Sequence, residues 1–105
     1  MPILESYVEK KAVEFAETMG YITFKVSPVS QRGWPDRVFI NRYGYHIYIE
    51  IKRGGKKPRK LQRYRIQQLE ERTVEVHWSD DLETIKHILT NGTTRRLYEH
   101  CLDTP

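Results

Sequence analysis

The stretch from Gly33 to Lys52 reads Gly-Trp-Pro-Asp-Arg-Val-Phe-Ile-Asn-Arg-Tyr-Gly-Tyr-His-Ile-Tyr-Ile-Glu-Ile-Lys, and it leaves the chain little freedom in what it can fold into. Pro35 ends whatever precedes it and keeps Trp34 out of the helical region. Asp36 opens the run Arg37-Val-Phe-Ile40, whose β-branched and aromatic side chains suit a strand. Asn41 to Gly44 carries turn chemistry, because Asn and Gly tolerate positive φ. The return run alternates, with Tyr45, Ile47, Ile49 and Ile51 on one face and His46, Tyr48, Glu50 and Lys52 on the other. The stretch predicts a β-hairpin.

That alternation has a chemical consequence. Glu50 and Lys52 share a face, roughly 6 to 7 Å apart along a strand, and the neighbouring strand carries Asp36 at its start. Two carboxylates converging on one point suit a hard divalent cation such as Mg²⁺, which takes oxygen ligands. A lysine beside them can orient a water or stabilise charge building on a phosphate. A solvated hairpin carrying an unrelated Asp and a Glu-x-Lys is the competing reading of the same residues.

The chain has 105 residues, enough for one domain with a modest core. Eighteen Lys and Arg against 14 Asp and Glu give a net charge of +4, which favours a polyanionic partner. The excess is concentrated in Lys52, Arg53, Lys56, Lys57, Arg59, Lys60, Arg63 and Arg65, a run without an acidic residue. The single cysteine, Cys101, rules out an internal disulfide and favours a reducing compartment. No apolar run is long enough for a membrane span and no signal-peptide pattern is present, so the expected location is the cytoplasm of a bacterium or phage-infected host, with no membrane partner.

Taken in order, Leu4, Val8, Ala12, Phe15 and Met19 recur at helical spacing, predicting a helix over 3–19 with Gly20 as its stop. Glu5 and Glu9 flank that apolar stripe, where a carboxylate can reach a site on a sheet or can be an ordinary rim charge. Tyr21 to Val26 predicts a strand, and Ser27 to Arg32 a polar loop. After the hairpin, Arg53 to Pro58 forms a basic, glycine-containing loop. A second helix runs from Pro58 to about Arg72, with Gln62 among its inward residues, an unusual place for an uncharged polar side chain. Thr73 to Trp78 predicts another strand, and Ser79 N-caps a third helix that Asn91-Gly92 ends. The expected architecture is α/β, a single domain over 1–105 with its core at about 3–90. A small mixed sheet is flanked by helices in the order α-β-β-β-α-β-α. Residues 91–105 form a C-terminal tail whose structure the sequence leaves unassigned.

This order and these residues resemble the virus-type replication-repair nuclease (VRR-NUC) family of the PD-(D/E)XK nucleases, in its small stand-alone phage type. The resemblance is carried by Glu9-Lys-Lys11, Lys25-Val-Ser-Pro28, Arg32-Gly-Trp-Pro-Asp-Arg37, Glu50-Ile-Lys52 and Gly55-Lys-Lys-Pro-Arg-Lys-Leu-Gln62. It implies a restriction-endonuclease-like core in which Asp36, Glu50 and the Ile51 backbone carbonyl hold Mg²⁺, with Mn²⁺ able to substitute. Lys52 is then the catalytic lysine and Gln62 the glutamine that follows it on the second helix. A glutamate of the first helix completes the site, either Glu9, directly or through water, or its alternative Glu5.

The implied activity is endonucleolytic hydrolysis of DNA, on branched substrates such as Holliday junctions, by a homodimer. The expected DNA contacts are Ser27, Arg32, Arg37, Arg53, Lys56, Lys57, Arg59, Lys60 and Arg63, which give affinity and salt dependence rather than sequence specificity. Trp34, Tyr43 and Tyr45 are candidates for stacking, for an interface or for the core. A non-catalytic DNA-binding module on the same fold, and an assembly protein whose basic patch meets an acidic partner, are the alternatives. His46, His77, His87, His100 and Cys101 do not have zinc-site spacing.

Overall fold

The periodic apolar residues at the start of the chain form helix α1 (Glu5–Thr18), which buries Val8, Ala12 and Ala16. The computed structural model describes residues 4–26 and 32–96. The tail from Leu97 onward, with His100 and Cys101, lies outside them. The sheet consists of β1 (Ile22–Lys25), β2 (Arg37–Ile40), β3 (His46–Ile51) and β4 (Glu75–Ser79), in that spatial order. β1, β2 and β3 run antiparallel, and β4 is parallel to β3. A parallel neighbour requires a crossover, and helix α2 (Lys60–Glu70) supplies it before α3 (Leu82–Gly92) closes the fold. The α/β architecture and its element order are those the sequence predicts.

The alternation in β3 divides the molecule into layers. Ile47, Ile49 and Ile51 are buried against α1 and α3, in a core with Val8, Ala12, Ala16, Phe39, Ile85 and Leu89. The two alanines let α1 approach the sheet closely. Glu50 and Lys52 point to the opposite layer, where α2 packs against β4. None of the helices in the described residues is long and apolar enough to cross a membrane.

Three local features differ from expectation or have a different cause. Ser79 does not cap α3. It ends β4, held in the ladder by the Lys52 amide donating to its carbonyl at 2.9 Å. The cap is Asp81, whose Oδ2 accepts from the Thr84 amide at 3.0 Å and the Thr84 hydroxyl at 2.7 Å. Gly92 ends α3 without a left-handed conformation. Its role is close packing, since a Cβ there would collide with Ile47 Cδ1 and lie 2.6 Å from Tyr21 Oη. Asn41, expected simply as a turn residue, is buried. Its Oδ1 accepts from the Tyr43 and Tyr45 amides, and its Nδ2 donates to the Gly92 and Arg95 carbonyls. The hairpin turn is thereby tied to the end of α3.

Candidate active site

The hairpin brings the start of β2 against the end of β3. Pro35 is buried there, and the Asp36 carbonyl accepts from the Val26 amide at 2.8 Å, so β1 also fixes this corner. The Asp36 amide donates to Glu50 Oε1 at 3.1 Å. Glu50 is only 3% exposed, and burial, reinforced by the charge of Asp36, pushes its carboxyl up to about 7. Lys52 and the Asp36 amide pull the other way, and Glu5 adds to the rise. A buried carboxylate beside a second acid is an unfavourable excess of negative charge unless a cation neutralises it.

Gln62 resolves the puzzle of an inward glutamine. Its Nε2 donates to Glu50 Oε2 at 2.8 Å, while its Oε1 accepts from Lys52 Nζ at 3.3 Å and from the Arg59 amide at 2.8 Å. The last bond is the reciprocal half of a capping box at the start of α2; arginine has no acceptor to offer the other half. One side chain therefore spaces the acid from the lysine and fixes the helix to both. Lys52 Nζ lies 3.8 Å from Glu50 Oε2.

The two candidate glutamates of α1 are placed differently. Glu5 lines a cleft of about 380 Å³ together with Lys52, Arg53, Lys56, Lys57 and Arg59. Glu9 is committed elsewhere: its Oε2 accepts from Arg37 Nε at 2.9 Å, with Lys25 Nζ at 3.9 Å. Arg37, expected among the DNA contacts, is turned to the α1 side of the sheet, where it also donates to Thr23 Oγ1. Arg53, Lys56, Lys57 and Arg59 rim the cleft, and Asp80 holds their loop by accepting from the Gly55 amide at 2.9 Å. Arg32 and Lys60 are exposed, Arg63 lines a separate groove, and Ser27 lies outside the described residues.

Among the described residues no three His, Cys, Asp or Glu side chains gather as a metal-binding group. The donors at the site are the carboxylates of Asp36 and Glu50, with the Ile51 main chain between Glu50 and Lys52. Such an oxygen set fits a hard cation that completes its shell with water and phosphate oxygens, as Mg²⁺ does.

A contact with no local sequence signal completes the site. Arg65, one turn beyond Gln62, stacks on Trp34 with its guanidinium carbon 4.4 Å from the ring centroid, and its Nε donates to the Arg32 carbonyl at 3.4 Å. The segment leading into Asp36 is thus docked on α2. Of the other aromatic candidates, Tyr45 donates its hydroxyl to Glu75 at 2.6 Å, and Tyr43 is exposed beneath Arg96.

No family model matches the chain, and no curated protein matches it significantly. A solved structure described as a VRR_NUC domain superposes with a TM-score of 0.76, covering 82% of this chain and 94% of its own at 24% identity. The chain has the VRR_NUC fold. Within that fold Asp36, Glu50, Lys52 and Gln62 stand at one end of the two central strands, with Glu5 and the basic loop around the same opening.

Proposed function

We propose that the protein is a Mg²⁺-dependent DNA endonuclease, with Mn²⁺ able to replace Mg²⁺, that hydrolyses phosphodiester bonds in branched DNA. The observation that carries this reading is the buried Glu50 carboxylate, set between the Asp36 amide, Gln62 and Lys52. A buried acid paired with a second acid and a lysine is costly as architecture and useful as a metal-dependent hydrolytic site. Asp36, Glu50 and the Ile51 carbonyl would hold the cation, with Glu5 as the nearer glutamate of α1. When bound, the cation polarises a phosphate oxygen and acidifies a water. Lys52 would orient an attacking water and stabilise charge on the phosphate as it builds. Arg53, Lys56, Lys57 and Arg59 hold the flanking phosphates.

The same reading includes a homodimer that cuts two strands symmetrically. Its support is the edge strand β1, whose Ile22 and Phe24 are 63% and 49% exposed on the face that α2 leaves open. The deciding experiment compares cleavage of four-way junction, flap, duplex and single-stranded DNA with Mg²⁺, Mn²⁺ or EDTA, using wild type and Lys52→Ala. Metal-dependent cutting that Lys52→Ala abolishes supports the nuclease. Binding of every DNA without cleavage under either metal would show a non-catalytic binding module instead.

A further inference from the structure

The groove between α2 and β4 is separate from the cleft above Lys52. It encloses about 450 Å³ and is lined by Arg63, Ile66, Glu70, Val76, His77 and Trp78. We infer that this groove receives the base of an unpaired nucleotide, stacked on Trp78, while Arg63 takes a phosphate. The inference rests on the nuclease reading and specifies the part of the substrate that the groove would recognise.

Three observations carry it. Trp78 is 39% exposed, whereas the chain's other tryptophan, Trp34, is covered by Arg65. In the parallel ladder Trp78 is paired with Glu50, so both side chains rise on the same face of adjacent strands, about 4.8 Å apart at their backbones. The groove therefore lies beside the strand that carries Glu50, one strand away from the proposed metal site. Its charges are ordered as well. Arg63 lies near the start of α2, beside the basic run, and Glu70 lies at its end. A phosphate backbone is attracted to the Arg63 end and repelled at the Glu70 end, so the groove suits a single base turned in from its strand, and an exocyclic amine, on a base that has one, can donate to Glu70. A paired base within a duplex cannot offer its ring face to Trp78. An unpaired one can, and stacking on an aromatic side chain is tolerant of base identity.

The test measures binding in EDTA, by fluorescence anisotropy, of a blunt duplex, the same duplex with a short single-stranded gap, and a gap made of abasic residues. Trp78→Ala should weaken binding of the gapped duplex roughly tenfold and change binding of the blunt duplex by less than about twofold. Trp78→Phe should restore most of the loss, and wild type should bind the abasic gap as Trp78→Ala binds the normal one. Equal weakening on all three DNAs, or no weakening on any, overturns the inference. So does sedimentation showing that Trp78→Ala converts a dimer into a monomer, because Trp78 would then be a contact between copies. Lys52-dependent cleavage without any preference for the gap removes this inference alone. Failure of wild type to bind any DNA at low salt removes the nuclease reading with it.

Discussion

The side-chain amide of Gln62 donates to Glu50 Oε2 across 2.8 Å, joining the first turn of α2 to the most deeply buried acid of the sheet. Because the other end of the same amide accepts from Lys52 and from the Arg59 backbone, no smaller residue can replace it. Gln62→Ala should lower stability by about 1–2 kcal/mol, since it leaves a buried carboxylate and a helix-start amide without their partner. Gln62→Glu should be worse for the site, placing a third carboxylate against Glu50. Thermal melts in EDTA and cleavage rates across a Mg²⁺ titration check both. Equal melts and rates for wild type and Gln62→Ala would remove Gln62 from the site.

The raised carboxyl of Glu50 fixes the sign of a pH dependence. Below its ordinary value of 4.5 the group is protonated whether the chain is folded or unfolded; between 4.5 and about 7 the folded state holds an extra proton. Stability of the metal-free protein from this group therefore falls as pH rises through that window, by on the order of 3 kcal/mol at most. Metal binding at the proposed site should follow the opposite trend, because it needs the carboxylate. The rise in melting temperature caused by Mg²⁺ should grow between pH 6 and 8, and Glu50→Gln should flatten the dependence measured in EDTA. A Glu50→Gln variant that retains the wild-type slope would assign the dependence to another group.

Glu5 and Glu9 should separate cleanly in function. Glu5 faces the cleft beside Lys52, so Glu5→Gln is expected to raise the Mg²⁺ concentration needed for half-maximal cleavage and leave the melting temperature nearly unchanged. Glu9→Gln instead removes the charge that pairs with Arg37, whose side chain is 13% exposed, and should cost about 1–3 kcal/mol of stability with little change in the Mg²⁺ requirement. Reversal of the two phenotypes would restore Glu9 to the site.

This last pair shows where sequence reading stops. Apolar periodicity places both glutamates beside the buried stripe of α1, but they are one turn apart. Only the tilt of the helix over the sheet decides which meets Lys52 and which meets Arg37. The hairpin was legible because a two-residue period is a local signal, and it already set Arg37 on the face opposite Asp36. Ser79 misled because its strand pairing with β3 extends further than its own sequence indicates. The inward position of Gln62 was visible in the helical spacing, and its partners were not, since Glu50 and Lys52 lie on another element. The stack of Arg65 on Trp34 joins residues with no periodic relation at all.

That stack and its neighbour Gly33 lead to a final expectation about Asp36. Gly33 has φ +89°, and a Cβ there would lie 2.7 Å from Leu61 Cγ and 3.2 Å from Arg65 Cγ, so the segment before Asp36 lies directly on α2. Gly33→Ala imposes both a strained backbone and a collision, together about 1–3 kcal/mol. Relief requires the segment to lift, and Asp36 lies only three residues on, with its amide held by Glu50. The variant should therefore lose melting temperature and also lose much of the stabilisation expected from Mg²⁺ at the proposed site. Arg65→Lys, which keeps the charge and loses the planar stack, should shift the Mg²⁺ response in the same direction with a smaller loss of stability. If Gly33→Ala melts lower yet responds to Mg²⁺ as wild type does, the docking of this segment on α2 stabilises the fold without positioning Asp36.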